Sequence, residues 1–442
     1  MSMYKEHPTV QHVRARVKSS EPVRLTAAEL RKICLDAGAD DVGFVSIGRS
    51  EIDPQRAEIL QAFPQTQTLI SLVCRMNRDA IRTPARSVSN LEFHETTDHA
   101  NQAAREIVRE LEDRGIRALN PASGFPMEMD RFPGRIWVVS HKPVAVAAGL
   151  GQIGVHRNVI HPRFGNFIIL ATVLMAAPLE EESAPIDYNP CLTCKLCVAA
   201  CPVGAIKPDG QFDFSSCMTH NYREFMNGFT DWVETVAESG SATEYRHKVT
   251  DQEPASMWQS LSFGPNYKAA YCLAVCPAGE DVIQPFLENR ADFVTDMLRP
   301  LQQKLETIYV VPHSDAEAYV AKKFPHKTLR RVNGLRPSTI RGFVSSLPLV
   351  FQPGQSSGLD AVYHFVFDGA EQAEATVTIR NQTLEVKTGL EGQADCTVKA
   401  DAATWLGFLR KEKSIVWAII RGRIKVRGAM SLLTTFGRCF PS

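Results

Sequence analysis

The chain has 442 residues, 44% hydrophobic and 22% charged, which suits two or three domains that each bury a core. Lys plus Arg and Asp plus Glu both number 49, so no global field draws it to nucleic acid or to an anionic membrane, and only a local basic patch stays compatible with that balance. Residues 1–20 hold no apolar h-region, and the longest apolar run, Phe167 to Leu179, is shorter than the roughly 20 residues of a membrane helix; a cytoplasmic chain without signal or membrane span is expected.

In chain order, "TAAELRKICLDAGADDVGFVSI" predicts a helix and then a strand. Thr26 and Glu29 form a capping-box pattern, Leu30, Ile33 and Cys34 share one face, and Gly38 suits the C-terminal cap. "TLISLVCRMN" reads as a buried strand, which makes Cys74, like Cys34, a core residue. "QAAREIVRELEDRG" predicts an amphipathic helix with Ile107, Val108 and Leu111 on its stripe. Residues 20–182 are therefore expected to form an α/β or α+β domain.

Residues 183–300 hold seven of the eleven cysteines. Reduced cytoplasmic thiols that cluster indicate metal rather than disulfides. Cys191, Cys194, Cys197 and Cys201, followed by Pro202, match the two-cluster ferredoxin spacing, in which three thiolates hold one cluster and the fourth reaches to the other. Soft thiolates suit iron–sulfur, and zinc sites seldom show this spacing with a trailing proline. By the exchange rule Cys276 completes the first 4Fe-4S cluster with Cys191, Cys194 and Cys197. Cys201, Cys217 and Cys272 are left for a second cluster, and Ala269 stands where a fourth cysteine would complete it. That cluster is a cubane with a non-cysteine ligand (His220 and Tyr271 are nearest in sequence), a three-iron cluster, or absent.

Residues 301–336 read as a linker, basic and broken by proline and glycine towards their end. Residues 337–442 read as a separate α+β domain. It has a hairpin around Asn381-Gln382, a strand at "ADCTVKAD", a helix capped by Asp401 with Trp405, Phe408 and Leu409 inward, a strand at "GRIKVRG" and a closing helix at "MSLLTTF".

Just before the cysteines, Gly149-x-Gly151-x-x-Gly154 is by itself a weak dinucleotide signal, with no acidic residue about twenty positions on. The whole segment Pro143, Gly149–Gly154, Asn158, Pro162 to Gly165 and Leu179, followed by the ferredoxin module and the isolated Cys217, resembles the cobalamin-dependent epoxyqueuosine reductases and reductive dehalogenases. The resemblance spans about residues 25–290. It implies a nitroreductase-like domain holding base-off cobalamin beside an iron–sulfur cluster, fed by an external ferredoxin- or flavodoxin-type donor, with Gly149, Gly151, Gly154, His156, Arg157 and Asn158 near the corrin. The family's acid three residues before Pro143 is replaced by Ser140, so His141 or Lys142, with Glu128 a weaker candidate, is expected to supply the proton, and tRNA is not the favoured substrate. "FVFDGAEQAEATVTI", "ADCTVKADAATWLGFL" and "GRIKVRGAMSLL" resemble the sterol carrier protein type 2 fold, which implies an apolar tunnel. The combined expectation is a reductase that cleaves a small, rather apolar substrate. The alternative is a cobalamin-free electron-transfer or scaffold protein with a hydrophobic-ligand domain.

Overall fold

The computed structural model describes residues 7–16, 25–191 and 194–441. Half of the stretch 1–20, read for the absence of a signal, lies outside the described residues, as do residues 20–24 of the first expected domain.

The capping box forms as the sequence predicts. The Thr26 hydroxyl accepts the Glu29 N–H at 3.2 Å, and the Glu29 carboxylate accepts the Thr26 N–H at 2.9 Å. Helix α1 (Ala27–Asp36) then ends at Gly38, whose φ of +106° is the left-handed stop that glycine tolerates. Strands β1 (Asp41–Ser46), β2 (Thr68–Arg75), β3 (Ala118–Leu119) and β4 (Ile168–Met175) make one sheet in the order β1-β2-β4-β3, with every pairing antiparallel. The domain is thus α+β. β2 is central and buried on both faces, which explains its unbroken apolar run. Cys34 and Cys74 are fully buried in this core, and burial pushes both thiols up to about 12.

After the short α2 (Arg78–Arg82) comes α3 (Arg86–Asp113), 28 residues long, which covers one face of the sheet. Its first half escapes the apolar stripe because it buries polar side chains instead: the Asn90 side chain accepts the Tyr267 N–H at 3.0 Å, tying the helix to the cysteine-bearing segment. The other face carries α4 (His141–Ala147).

The cysteine segment follows, with α5 (Leu196–Ala200), α6 (Phe214–Asn221) and α7 (Tyr271–Ala274). The expected linker 301–336 is a correction. It folds as a βαβ unit, with β5 (Thr307–Val310), α8 (Asp315–Lys323) and β6 (Thr328–Arg331), the two strands pairing in parallel. Ile308, Val310, Ala316 and Val320 are buried against Cys201, Val203 and Ile206. The charge of "KTLRR" hid a strand whose apolar contribution comes from its partner.

The C-terminal domain is a five-stranded sheet of β7 (Ala361–Asp368), β8 (Ala373–Arg380), β9 (Thr383–Thr388), β10 (Cys396–Asp401) and β11 (Ile424–Gly428), ordered β9-β8-β7-β10-β11. Only β7 and β10 pair in parallel. The hairpin turns at Asn381 and Gln382, at φ +48° and +59°. Helices α9 (Ile340–Val350), α10 (Ala402–Leu409), α11 (Ile415–Ile420) and α12 (Met430–Cys439) complete it. Asp401 caps α10 through the Thr404 N–H at 2.8 Å. Trp405 lies buried among Phe343, Phe365 and Phe367, and its indole N–H has no partner among the described residues. The domain rests on α6: Val350 and Phe440 pack with Met218, Phe214, Tyr222, Phe132 and Leu335. Among the described residues no helix is long and apolar enough to cross a membrane.

Candidate iron–sulfur and cofactor site

The chain enters the thiol region through Lys195, whose left-handed backbone (φ +53°) swings Cys194 and Cys197 to one side before α5 begins. α5 is short enough that Cys201, at its C-terminal end, leaves on the other side. The structure sorts the seven thiols accordingly. Cys191, Cys194, Cys197 and Cys276 line one cavity of about 200 Å3, walled by Val155, His156, Ile160, Pro190, Pro277 and Ala278. The Val155 N–H donates to Cys191 Sγ at 3.2 Å. Burial, then the neighbouring thiols, push Cys197 up to about 12, and burial does the same for Cys276. Such thiols stay protonated until a cation takes the proton's place.

Cys201, Cys217 and Cys272 face one another in the second group. Burial raises all three, and each of Cys217 and Cys272 is raised further by Cys201. Cys272 reaches about 11, held back by the charge of Lys142. The Ala205 N–H donates to Cys201 Sγ at 3.3 Å. Among the described residues no group of three or more His, Cys, Asp or Glu side chains closes on a single metal ion. A cubane spreads its ligands around a core larger than a single ion.

Of the two side chains nearest in sequence for the open corner, Tyr271 is engaged elsewhere, and His220 has its Nδ1 engaged while its buried Nε2 has no partner among the described residues. The Tyr271 hydroxyl donates to Glu306 Oε2 at 2.6 Å. His220 stacks on Tyr309 and accepts its N–H at 3.4 Å, with Glu306 and three lysines as its charged neighbours, and burial pushes it down to about 3. The Ala269 N–H donates to Asn221 Oδ1 at 2.8 Å.

The residues expected to meet a corrin divide. Gly149 and Gly151 do have left-handed backbones, but a Cβ at either would strike the carbonyl oxygen of Ala184 or of Ile160. A Cβ on Gly154 would lie 2.7 Å from Ile160 Cδ1 and 3.4 Å from Cys191 Sγ. The glycines thus let the protein's own chain approach on the side a Cβ would take. His156 is also turned inward: it is buried, lines the first thiol cavity and accepts the Asn158 N–H at 3.1 Å, and burial lowers it to about 4. Arg157 is exposed and donates to Gly210 O at 2.8 Å.

His141 and Lys142 also part company. The His141 ring nitrogens engage Thr172 Oγ1 at 2.9 Å and Ala122 O at 3.1 Å, and burial lowers its pKa, so it fastens α4 to the sheet. Lys142 Nζ donates to Arg157 O at 2.9 Å and Asn158 Oδ1 at 2.8 Å. Its side chain is open to solvent, yet the protein around it lowers its pKa by desolvation. Cys272 and Cys217 are the thiols it faces. Ser140 has its backbone N–H held by the buried Gln55 at 2.8 Å. Glu128 is exposed.

Sequence reasoning missed three residues here. Tyr222 borders the same two thiols as Lys142, and burial, Tyr267 and those thiols raise its pKa well above the usual range, so its O–H stays intact. Arg82 and Arg86 are half-buried on α2 and α3, each with two guanidinium nitrogens that are buried and unpartnered among the described residues. Arg82 lies over Phe167 and Phe293 at 5.2 and 5.6 Å and feels Cys276; Arg86 lies over Tyr271 at 5.5 Å and feels Cys272. A larger recess of about 510 Å3 includes Arg82 with Arg75, Arg78 and Asp281 but no thiol. No periodicity marks these arginines in the sequence, because their meaning depends on what the fold brings beside them.

Four thiols around one apolar cavity define an iron–sulfur protein, and residues 184–207 match the 4Fe-4S binding domain. Residues 352–441 match the SCP-2 sterol transfer family. The chain is similar to the epoxyqueuosine reductase of Gloeobacter violaceus, 27% identical over 186 residues, which is 42% of this chain and 55% of that protein. The chain thus spans about half the length of that curated relative. Among solved structures, an epoxyqueuosine reductase crystallised with a tRNA-Tyr epoxyqueuosine-modified stem loop matches 45% of this chain and 57% of its own at 18% identity and TM-score 0.32. The catabolic reductive dehalogenase NpRdhA matches 62% of this chain and 34% of its own, at 16% identity and TM-score 0.37.

Proposed function

We propose that this chain is an iron–sulfur, cobalamin-dependent reductase that cleaves a carbon–heteroatom bond in a small, rather apolar substrate, taking single electrons from an external ferredoxin- or flavodoxin-type donor. The observation that carries this reading is the sorting of seven thiols into a closed four and an open three, with the three beside Lys142 and Tyr222. Similarity to epoxyqueuosine reductases supports the reaction class.

The closed four suit a 4Fe-4S cluster: soft ligands, an apolar cage and an N–H aimed at one sulfur. The open three suit a three-iron cluster, or a cubane with a ligand from outside the chain. Lys142 and Asn158, with Tyr222 beside the same thiols and Phe225 and the exposed Phe125 beyond it, suit a flat macrocycle better than a nucleotide phosphate. Those residues would hold cobalamin, which in reduced form would supply the electron pair for reductive cleavage. Lys142 and Tyr222 each hold a proton beside those thiols, Lys142 on Nζ and Tyr222 on its phenol oxygen. The Lys142 bonds to Arg157 O and Asn158 Oδ1 orient the ammonium.

A second reading, cobalamin-free electron transfer, draws on the glycine loop packing against its own backbone and on the inward turn of His156. Anaerobic purification after growth with cobalamin separates the two. Corrinoid absorption and cobalt that co-purify with iron, and are lost in a Lys142/Tyr222 double variant, support the first. Iron without cobalt, after reconstitution with free cobalamin, leaves the second.

A further inference from the structure

The helix Gln252–Phe263 turns polar residues inward and large apolar ones outward. Its buried face holds Glu253, Met257 and Ser260. Glu253 accepts from Arg223 Nη2 at 2.7 Å, and the Ser256 and Ser260 hydroxyls donate to the buried Glu224 at 2.6 and 2.8 Å. Trp258, Leu261 and Phe263 are 60%, 66% and 73% exposed, and the rings of Trp258 and Phe263 meet at 5.8 Å. Polar bonds thus fix the inner face, and core packing gives no account of the apolar outer one.

α3 extends that outer face. Val88 and Leu91, 48% and 60% exposed, share a stripe of α3 with His94. The His94 ring engages Pro265 O at 2.8 Å and abuts Gly264, the residue after Phe263, where a Cβ would lie 3.0 Å from Nε2. Asn90 accepts the Tyr267 N–H along the same seam. The combined face carries no charge: neither 87–91 nor 254–267 contains a charged residue. The charges that bound the longer run are paired, Glu253 with Arg223 at 2.7 Å and Lys268 with Glu224 at 2.6 Å. The five apolar side chains leave roughly 600 Å2 in water, taking about 200 Å2 for a whole aromatic side chain and less for Leu and Val. A chain that stays alone rarely shows that much in one patch. Two such faces in contact would remove about 1,200 Å2, above the roughly 1,000 Å2 that a specific interface needs.

We propose that this face pairs with the same face of a second copy of the chain in a two-fold dimer. A neutral apolar surface meets its own copy without repulsion. An RNA, an acidic electron donor or a lipid phosphate would find no cation on it. The other exposed apolar ridge, Val416, Trp417 and Ile420 on α11, lies in sequence between Arg410, Lys411 and Lys413 on one side and Arg421 and Arg423 on the other, so a symmetric contact there would set like charges together. The seam runs past Tyr267, whose ring packs on Tyr222 at 5.6 Å, which puts the second copy on the outer side of the aromatic residues beside the second thiol set. The pairing stands whether or not the thiol sites carry cobalamin.

Sedimentation equilibrium of the full-length, cluster-loaded protein under anaerobic conditions tests it. The parent should sediment at twice the chain mass at micromolar concentration, and added salt should not dissociate it. Leu261→Glu with Phe263→Ser should weaken pairing about hundredfold or more, whereas Trp417→Ser with Ile420→Ser should leave the dimer intact. Both variants should keep the parent's iron content and circular dichroism. Hydrogen exchange of the unaltered protein gives a reading that no substitution can confound: dilution below the dissociation constant should speed exchange in 87–91 and 254–267 and leave the C-terminal domain unchanged. A parent that is monomeric at about 100 µM, a dimer that survives Leu261→Glu with Phe263→Ser, a dimer dissolved by the Trp417 and Ile420 substitutions, or exchange that ignores dilution would each overturn the proposal. So would a monomer that binds phosphatidylcholine vesicles through Leu261 and Phe263.

Discussion

The two thiol sets share one stretch of chain yet are finished by different means. The first closes on itself: four cysteines from two distant runs meet around an apolar cavity, and the backbone of Val155 supplies a hydrogen bond to sulfur. The second stops at three cysteines and is surrounded by positive or proton-bearing groups, Lys142, Arg86 and Tyr222. Ligand count secures the first; electrostatic surroundings complement the second. In the proposed reading, the second set, with three thiols beside the solvent-exposed Lys142, is the one to meet something that enters from solvent.

The largest effect should come from breaking the closed set. Cys276→Ser removes the residue that joins the two runs and should cost the protein the whole first cluster, roughly four iron per chain. Iron analysis and low-temperature electron paramagnetic resonance of the reduced protein would read this. Retention of that iron would mean that Cys276 is not a ligand. Filling the open set should do less and in the opposite direction. Ala269→Cys supplies the absent thiol beside Asn221, and iron should rise by roughly one per chain, with any three-iron signal in the oxidised protein lost. An unchanged spectrum would argue that the corner already has an occupant, or that the second set holds no cluster.

Lys142→Met bears on the groups beside the second set. It should leave the iron content of both sets unchanged and lower turnover by about 10²-fold or more, the usual size of a lost proton donor. If turnover survives, Tyr222 is the group to substitute next.

How much of this was legible in the sequence follows from how local each signal is. The Thr26–Glu29 box, the β2 run, the Asn381-Gln382 hairpin and the Asp401 cap each depend on a few neighbouring residues, and each forms as read. Ferredoxin spacing encodes a three-dimensional exchange in a linear pattern, and the structure lines one cavity with Cys191, Cys194, Cys197 and Cys276. The 301–336 segment was not legible, since a parallel βαβ unit gains its stability from packing on Cys201, Val203 and Ile206 across a hundred residues. The glycine loop carries a related ambiguity: a glycine signals close approach without saying what approaches, and at Gly149 and Gly151 the backbone of Ala184 and Ile160 lies on the side a Cβ would take.

The smallest predicted effect tests the charge side of the comparison most directly. A buried guanidinium stays protonated, and one without a partner is costly unless negative charge lies close by. Arg82 and Arg86 each meet that description, and the cysteines they feel, Cys276 and Cys272, belong to different sets. A cluster held by thiolates is anionic, and each electron added makes it more so. An adjacent cation therefore favours the reduced form, and its removal shifts the midpoint potential to more negative values. At an effective dielectric near 20, one charge at about 10 Å is worth roughly 1–2 kcal/mol, or about 40–80 mV for one electron. Arg82→Gln should lower the potential of the first set and spare the second; Arg86→Gln should do the reverse. Redox titration followed by paramagnetic resonance resolves the two. If both variants shift one signal equally, or neither shifts any, the arginines serve packing against Phe167, Phe293 and Tyr271, and the electrostatic contrast between the two sets fails.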